Sequence, residues 1–348
     1  MGLTGTRRRS ALAAAMLIAA AAPATAWDRN NAEPFAVLPA GASGPEGLTV
    51  GTDGSLYVTT PGGAAGTSGR LYVFEPGGRL ARVLEVQGSS PSLLGLAFNP
   101  ATQELLVADA GAGVVRRVDP LNGASSVFMT ATGAPALNGL AFDAAGNTYV
   151  TDSRQGIVWV AGPEGGAGRV WVQDPLLTTT GVPGFGANGV GFNRDGSAAF
   201  VANTGNDTIV RIPVEGGGAA GQPAVFANSV NGADGLVLDG ADNIWVAANQ
   251  SDEIVVIDPS GKAIAKLGDF NGVRGGVVQG LLFPATPAFS ADGQYVYVTN
   301  FAQDLRRGGG TQSVVSQYAA QVTQYTVARI STRFRPVPDG SRRAARAD

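Results

Sequence analysis

The chain has 348 residues, 44% of them hydrophobic and 15% charged, with 51 glycines, a net charge of −3 and neither cysteine nor histidine. Its length supports a large core in one domain or two, and its mild acidity, with basic runs only near the ends, excludes the basic patch of a nucleic-acid-binding protein. The missing residue types exclude disulfides, thiolate sites, histidine bases, catalytic triads and His-ligated zinc or copper, leaving carboxylate, amide, hydroxyl, Lys and Arg chemistry and hard cations that prefer oxygen.

The first segment has the layout of an export signal. Arg7-Arg8-Arg9 precede an apolar run over 11–22 and the small-residue stretch Ala24-Thr25-Ala26, so residues 1–26 are expected to be a signal peptide cleaved before Trp27, with a periplasmic or extracellular destination. The run is shorter than the roughly 20 apolar residues of a membrane span, and no other segment approaches that length.

After a candidate strand over 35–38 comes a phrase that recurs six times: Glu46-Gly-Leu-Thr-Val, Leu94-Gly-Leu-Ala-Phe, Asn138-Gly-Leu-Ala-Phe, Asn188-Gly-Val-Gly-Phe, Asp234-Gly-Leu-Val-Leu and Ala285-Thr-Pro-Ala-Phe. Seven residues after each first position lies a turn, such as Asp53-Gly54 or Asp195-Gly196. Each repeat holds several β-like runs: the third has 139–142, 148–151, 156–160 and 169–172, and the fifth has 235–238, 244–247, 253–257 and 263–267. Four short strands per unit at a period near 40–50 residues mark propeller blades. A sandwich or barrel of many strands is the competing reading, but it does not demand a fixed offset in every repeat.

The expected fold is therefore all-β, a six-bladed β-propeller over 27–334. The last repeat supplies strands at 287–289, 295–298 and 322–330 and then runs out, so the strand at 35–38 completes its blade and closes the ring. An insertion at 301–321, Gly-rich and then polar, is either a lid over one face or a loose loop. The Pro-, Arg- and Ala-rich tail at 335–348 is expected to be disordered.

The first position of the phrase is where the repeats differ. It directly precedes the innermost strand of each blade, so all six residues ring one mouth of the central channel. Glu46, Asn138, Asn188 and Asp234 then converge as oxygen ligands, with apolar Leu94 and Ala285 in the other two slots. Two carboxylates and two amides suit one divalent cation, Ca²⁺ better than Mg²⁺, which wants fewer protein oxygens and stricter octahedral geometry. The alternative is that x-Gly steps of the kind found in NHL-type propellers merely open the strand. The second strands end on the same face with Thr60, Asp109, Asp152, Asn203, Asn249 and Asn300. Most are expected to start turns by bonding their own backbone, with Asp152 and Asn300 as the exceptions that contact substrate.

These phrases and slots resemble the regucalcin/gluconolactonase/luciferin-regenerating-enzyme family, which includes diisopropyl-fluorophosphatase, across roughly residues 33–334. The resemblance implies a six-bladed propeller with one catalytic divalent ion, usually calcium, in the channel. It makes Glu46, Asn188 and Asp234 the metal ligands, Asp234 also the base or nucleophile, and Asn138 a further residue beside the metal that can contact substrate. Sugar-lactonase members carry an Arg just ahead of the middle-blade Asn; here Pro135-Ala136-Leu137 stand there, which argues against a sugar lactone. The implied function is a Ca²⁺-dependent hydrolase of lactones or related esters, monomeric and acting on a small molecule. The alternative is a non-catalytic NHL-like propeller that binds a protein, glycan or small ligand on one rim.

Overall fold

The computed structural model describes residues 1–2, 29–304 and 314–335. The export signal, part of the insertion (305–313) and nearly all of the tail (336–348) lie outside the described residues. Six four-stranded antiparallel blades form a ring, the second of which gains a short fifth strand. In the first blade the strands run Leu48–Val50, Leu56–Thr59, Arg70–Phe74 and Leu80–Glu85 from the channel outward. The other innermost strands are Leu93–Phe98, Leu137–Phe142, Ala187–Phe192, Ala233–Leu238 and Pro284–Phe289.

The second strands are rich in apolar residues because both of their faces pack against neighbouring blades: Leu56–Thr59, Leu105–Asp109 and Ile244–Ala248 are buried throughout. A fully buried Leu or Val on such a strand contributes about 1.5–3 kcal/mol. The outermost strand of the first blade is mostly exposed and carries Arg82 and Glu85.

The ring closes as the pattern predicts. Glu33–Val37 pairs antiparallel with Thr326–Ser331, Glu33 opposite Arg329 and Val37 opposite Thr326. One apolar cluster joins Leu48, Val58 and Phe74 of the first blade to Ala36 and Leu38 of the entering chain and Tyr297 and Val327 of the last blade. The final-blade strand begins at Thr326 rather than 322, since residues 320–325 turn from the preceding helix into the sheet.

The slots owe their aim to a β-bulge. In the third blade Leu137 pairs with Asp152 and Leu140 with Val150, so Asn138 and Gly139 oppose Thr151 alone. The same shift occurs at Asn188, Asp234, Leu94 and Ala285. Placing two residues opposite one re-aims the first side chain, here into the channel. In every blade but the sixth the second is glycine because blades touch there: a Cβ on Gly139 would lie 2.7 Å from the backbone oxygen of Asn188. A threonine from the middle strand latches the next slot's carbonyl. Thr59 donates to Leu94 O, Thr151 to Asn188 O, and Thr299 to Glu46 O at 2.9 Å.

Two features escape the repeat pattern. A hairpin, Phe270–Arg274 with Val277–Gly280, stands between the fifth and sixth blades. Part of the insertion forms the short helix Val314–Ala319, whose Ala319 packs with Val278, Leu282 and Ala302, and whose Tyr318 ring lies 4.9 Å from that of Phe270. The described end of the insertion is thus a buttress on the hairpin.

Candidate active site

Glu46, Asn138, Asn188 and Asp234, spread over nearly two hundred positions, line one cavity of about 410 Å³ at a mouth of the channel. Asn249, Thr204 and Leu94 join them. All four slot side chains are buried, each about 5% exposed. The amide nitrogens face their own blades: Asn188 Nδ2 donates to Thr204 Oγ1 at 3.0 Å, and Asn138 Nδ2 to Ser153 Oγ at 3.4 Å. Ser153 is in turn tied by its hydroxyl to Ala187 O at 2.6 Å. With their nitrogens so employed, both amides retain an oxygen for the cavity.

The carboxylates are in an unusual state. Asp234 Oδ2 accepts from Asn249 Nδ2 at 2.9 Å, while Asp234 Oδ1, Glu46 Oε2 and Asn249 Oδ1 are buried without any hydrogen-bond partner. Among the described residues neither carboxylate forms an ion pair. Burial pushes Asp234 up to about 7, against the pull of the hydrogen bond from Asn249. Burial, then the charge of Asp234, holds Glu46 well above the usual carboxylate range. Buried polar atoms are nearly always satisfied, so three orphaned acceptors in one cavity call for a partner that brings positive charge. Two carboxylates with amide oxygens from Asn138, Asn188 and Asn249 match the hard, oxygen-rich shell of Ca²⁺. The donor set fits the cation.

Asp152 and Asn300, expected to touch substrate, are placed outside this cavity, and both act as backbone clamps. Asp152 Oδ1 accepts from the amides of Ala136, Arg154 and Gln155, and its Oδ2 from Gln155 Nε2 and Trp159 Nε1. Asn300 Oδ1 accepts from Leu282 N, and its Nδ2 donates to Gly280 O and Thr326 Oγ1. Asp109 and Asn203 hold turns in the same way. Among the second-strand ends it is Asn249 that reaches the cavity. Its place in a short 3₁₀ turn, Asn249–Ser251, separates it from the other blades, and no local sequence signal marks it. Arg154 at the exposed rim, with Nη1 on Ala134 O at 3.1 Å, Ser92, Gln303 and the loop residues Phe185, Phe283 and Phe301 also line it.

Residues 178–268, which carry Asn188 and Asp234, match the family model described as SMP-30/Gluconolactonase/LRE-like region. The chain resembles this family. Among solved structures it is similar to a regucalcin from Agrobacterium tumefaciens described as a calcium-binding protein, at 17% identity and TM-score 0.58, covering 89% of this chain and 97% of that one. It is similar to a luciferin-regenerating enzyme at 13% identity and TM-score 0.59, over 86% of this chain and 94% of the other. A third likeness is to the virginiamycin B lyase of Staphylococcus aureus bound to quinupristin, at 15% identity and TM-score 0.52, over 76% and 80% of the two chains. That structure is a histidine-to-alanine form described as catalytically inactive, and this chain has no histidine to offer. At these identities the likenesses establish the six-bladed fold. No curated protein matches the chain.

Proposed function

We propose that this protein is an exported, divalent-metal-dependent hydrolase of lactones or related esters, with Ca²⁺ as its ion. The observation that carries the reading is the trio of orphaned, buried acceptor oxygens on Glu46, Asp234 and Asn249 beside two slot amides. Glu46, Asn188 and Asp234 would hold the ion, with Asn138 and Asn249 completing the oxygen set. A cation bound there supplies Lewis-acid polarisation of the scissile carbonyl oxygen. Asp234 is the group suited to hold a proton: its Oδ1 is without a hydrogen-bond partner beside the cavity, so it can take one from the attacking water and return it to the leaving oxygen. Asn249 steers it by occupying Oδ2 and leaving Oδ1 toward the cavity. Asn138 orients the substrate, and the absence of histidine leaves no competing base of that kind. The export signal and the fit of a small molecule to the cavity support the remaining parts of the reading.

The test is a titration of chelator-stripped protein with Ca²⁺ and Mg²⁺, following the melting temperature and the hydrolysis of aryl esters and lactones on the same samples. A ligand selective for the folded state stabilises it by RT ln(1 + [L]/Kd). The expected result is a rise with Ca²⁺ and Ca²⁺-dependent turnover abolished in Asp234→Asn. A melting temperature indifferent to millimolar Ca²⁺ refutes the ion site, and a rise without turnover of any ester or lactone refutes the hydrolase.

A further inference from the structure

Polar side chains gather at the cavity floor, which the slots supply, and the walls above it come from loops whose large side chains are mostly apolar: Pro61, Pro183, Phe185, Phe283 and Phe301. We infer that the occupant is an ester or lactone with an apolar body, an aryl group or a medium alkyl chain, and not a polyhydroxylated ring. This rests on the hydrolase reading for the identity of the ester group, and on the walls alone for the body.

Three placements show that the apolar wall is built and held. Phe185 is 41% exposed and its neighbour Val182 49% exposed, although both are large and apolar. They sit on the loop between the third and fourth blades, and that loop is tied to the fifth blade by Gln250 Nε2 donating to Val182 O at 2.9 Å. Phe283 has a φ of +44°, a conformation that bulky residues avoid, and its amide is pinned there by Asp252 Oδ1 at 2.7 Å. Its ring meets that of Phe301 edge to face at 6.2 Å. Phe301 itself rests on Gly44, where a Cβ would lie 2.3 Å from the Phe301 carbonyl oxygen.

A polyhydroxylated substrate needs hydrogen-bond partners along its whole length, because each hydroxyl buried without one loses its water. The walls offer few: Ser92, Gln303 and Thr204, whose Oγ1 accepts from Asn188, with Arg154 at the exposed rim. An apolar body gains from the same surface, since concave apolar sites with a few convergent polar groups bind ligands of that make-up. In the reaction the acyl carbon–oxygen bond breaks, water's oxygen bonds to the acyl carbon, and water's proton ends on the leaving alkoxide, so water is the only co-reactant.

The experiment is isothermal titration of the full chain in excess Ca²⁺ with lactams, unhydrolysable analogues of lactones. An alkyl-substituted γ-lactam is compared with unsubstituted γ-butyrolactam and with a polyhydroxylated sugar lactam, for the wild type and Phe185→Ser. The expected result is at least 10-fold tighter binding of the alkyl lactam than of the sugar lactam, and about 10-fold loss of that affinity in Phe185→Ser. Butyrolactam affinity and Ca²⁺ binding stay unchanged in the variant, which shows it to be folded. Equal or tighter binding of the sugar lactam, or no effect of Phe185→Ser, overturns the inference. Turnover of the matching lactones is measured in parallel: its absence beside an intact alkyl preference overturns the hydrolase and leaves the apolar ligand standing.

Discussion

Asp234→Asn should make the cation-free protein more stable while ending its response to Ca²⁺. The side chain is buried, and only one of its oxygens is satisfied, by Asn249. Burial raises its carboxyl from an ordinary 3.8 to about 7. Because the folded-state value lies above the unfolded one, folding takes up a proton between about pH 4 and 7. Stability from this group is full below the unfolded value and is lost as pH rises through about 7. The ionised, cation-free state therefore carries a cost on the order of 4 kcal/mol. An amide of the same shape removes that cost and still accepts from Asn249. At roughly 2 °C per kcal/mol for a domain of this size, the variant should melt up to about 8 °C above the wild type at pH 8 in chelator. At pH 3, below the ordinary value of 3.8, the difference should vanish. With excess Ca²⁺ at pH 8 the order should reverse, since only the wild type gains binding energy. Differential scanning calorimetry at the two pH values, with and without Ca²⁺, measures all of this. A variant less stable than the wild type at pH 8 in chelator would show that Asp234 is already compensated, and would refute the account of the site.

Further outcomes follow from the same geometry. Asn249→Ala removes the amide that orients Asp234 and should weaken Ca²⁺ binding about 10–100-fold by calorimetric titration, the usual effect of losing a supporting group; unchanged affinity would reduce Asn249 to a bystander. Gly139→Ala places a methyl 2.7 Å from Asn188 O and should cost about 1–3 kcal/mol in urea unfolding by forcing the third and fourth blades apart. Thr299→Val deletes the latch onto Glu46 O and should cost about 1 kcal/mol and weaken Ca²⁺ binding, because it loosens the one ligand held across the seam; a stability loss without a binding loss would separate the latch from the site.

The fold was legible because its information is local and repeated. The apolar strand and the turn seven residues on occur in every blade and the x-Gly step in five of the six, and the expected outer strand at 263–267 is found as Ala263–Leu267. The convergence of Glu46, Asn138, Asn188 and Asp234 was legible for the same reason, since a position repeated in a ring meets its copies at the axis. Asn249 was not, because its role depends on backbone beyond its own repeat position. In chemical type it matches Asn300, which clamps Gly280 and Leu282; only the turn at Asn249–Ser251 frees Asn249 for Asp234. The hairpin Phe270–Gly280 and the apolar wall were hidden too, since nothing in the repeat fixes where its loops lean.

The latch from Thr299 to the Glu46 carbonyl joins residues 253 apart in the chain. It lies where the first blade meets the last, beside the seam at which the pairing of Glu33–Val37 with Thr326–Ser331 closes the ring without a covalent link. Glu46 stands on one side of that seam and Asp234 on the other, reached through the fifth and sixth blades. A cation gripped by both would span the opening like a clasp, and the ring would resist unzipping in proportion to how tightly the ion is held. For a protein without disulfides, calcium in the surroundings would then act as a reversible cross-link, and the rate of global unfolding would report the local calcium concentration.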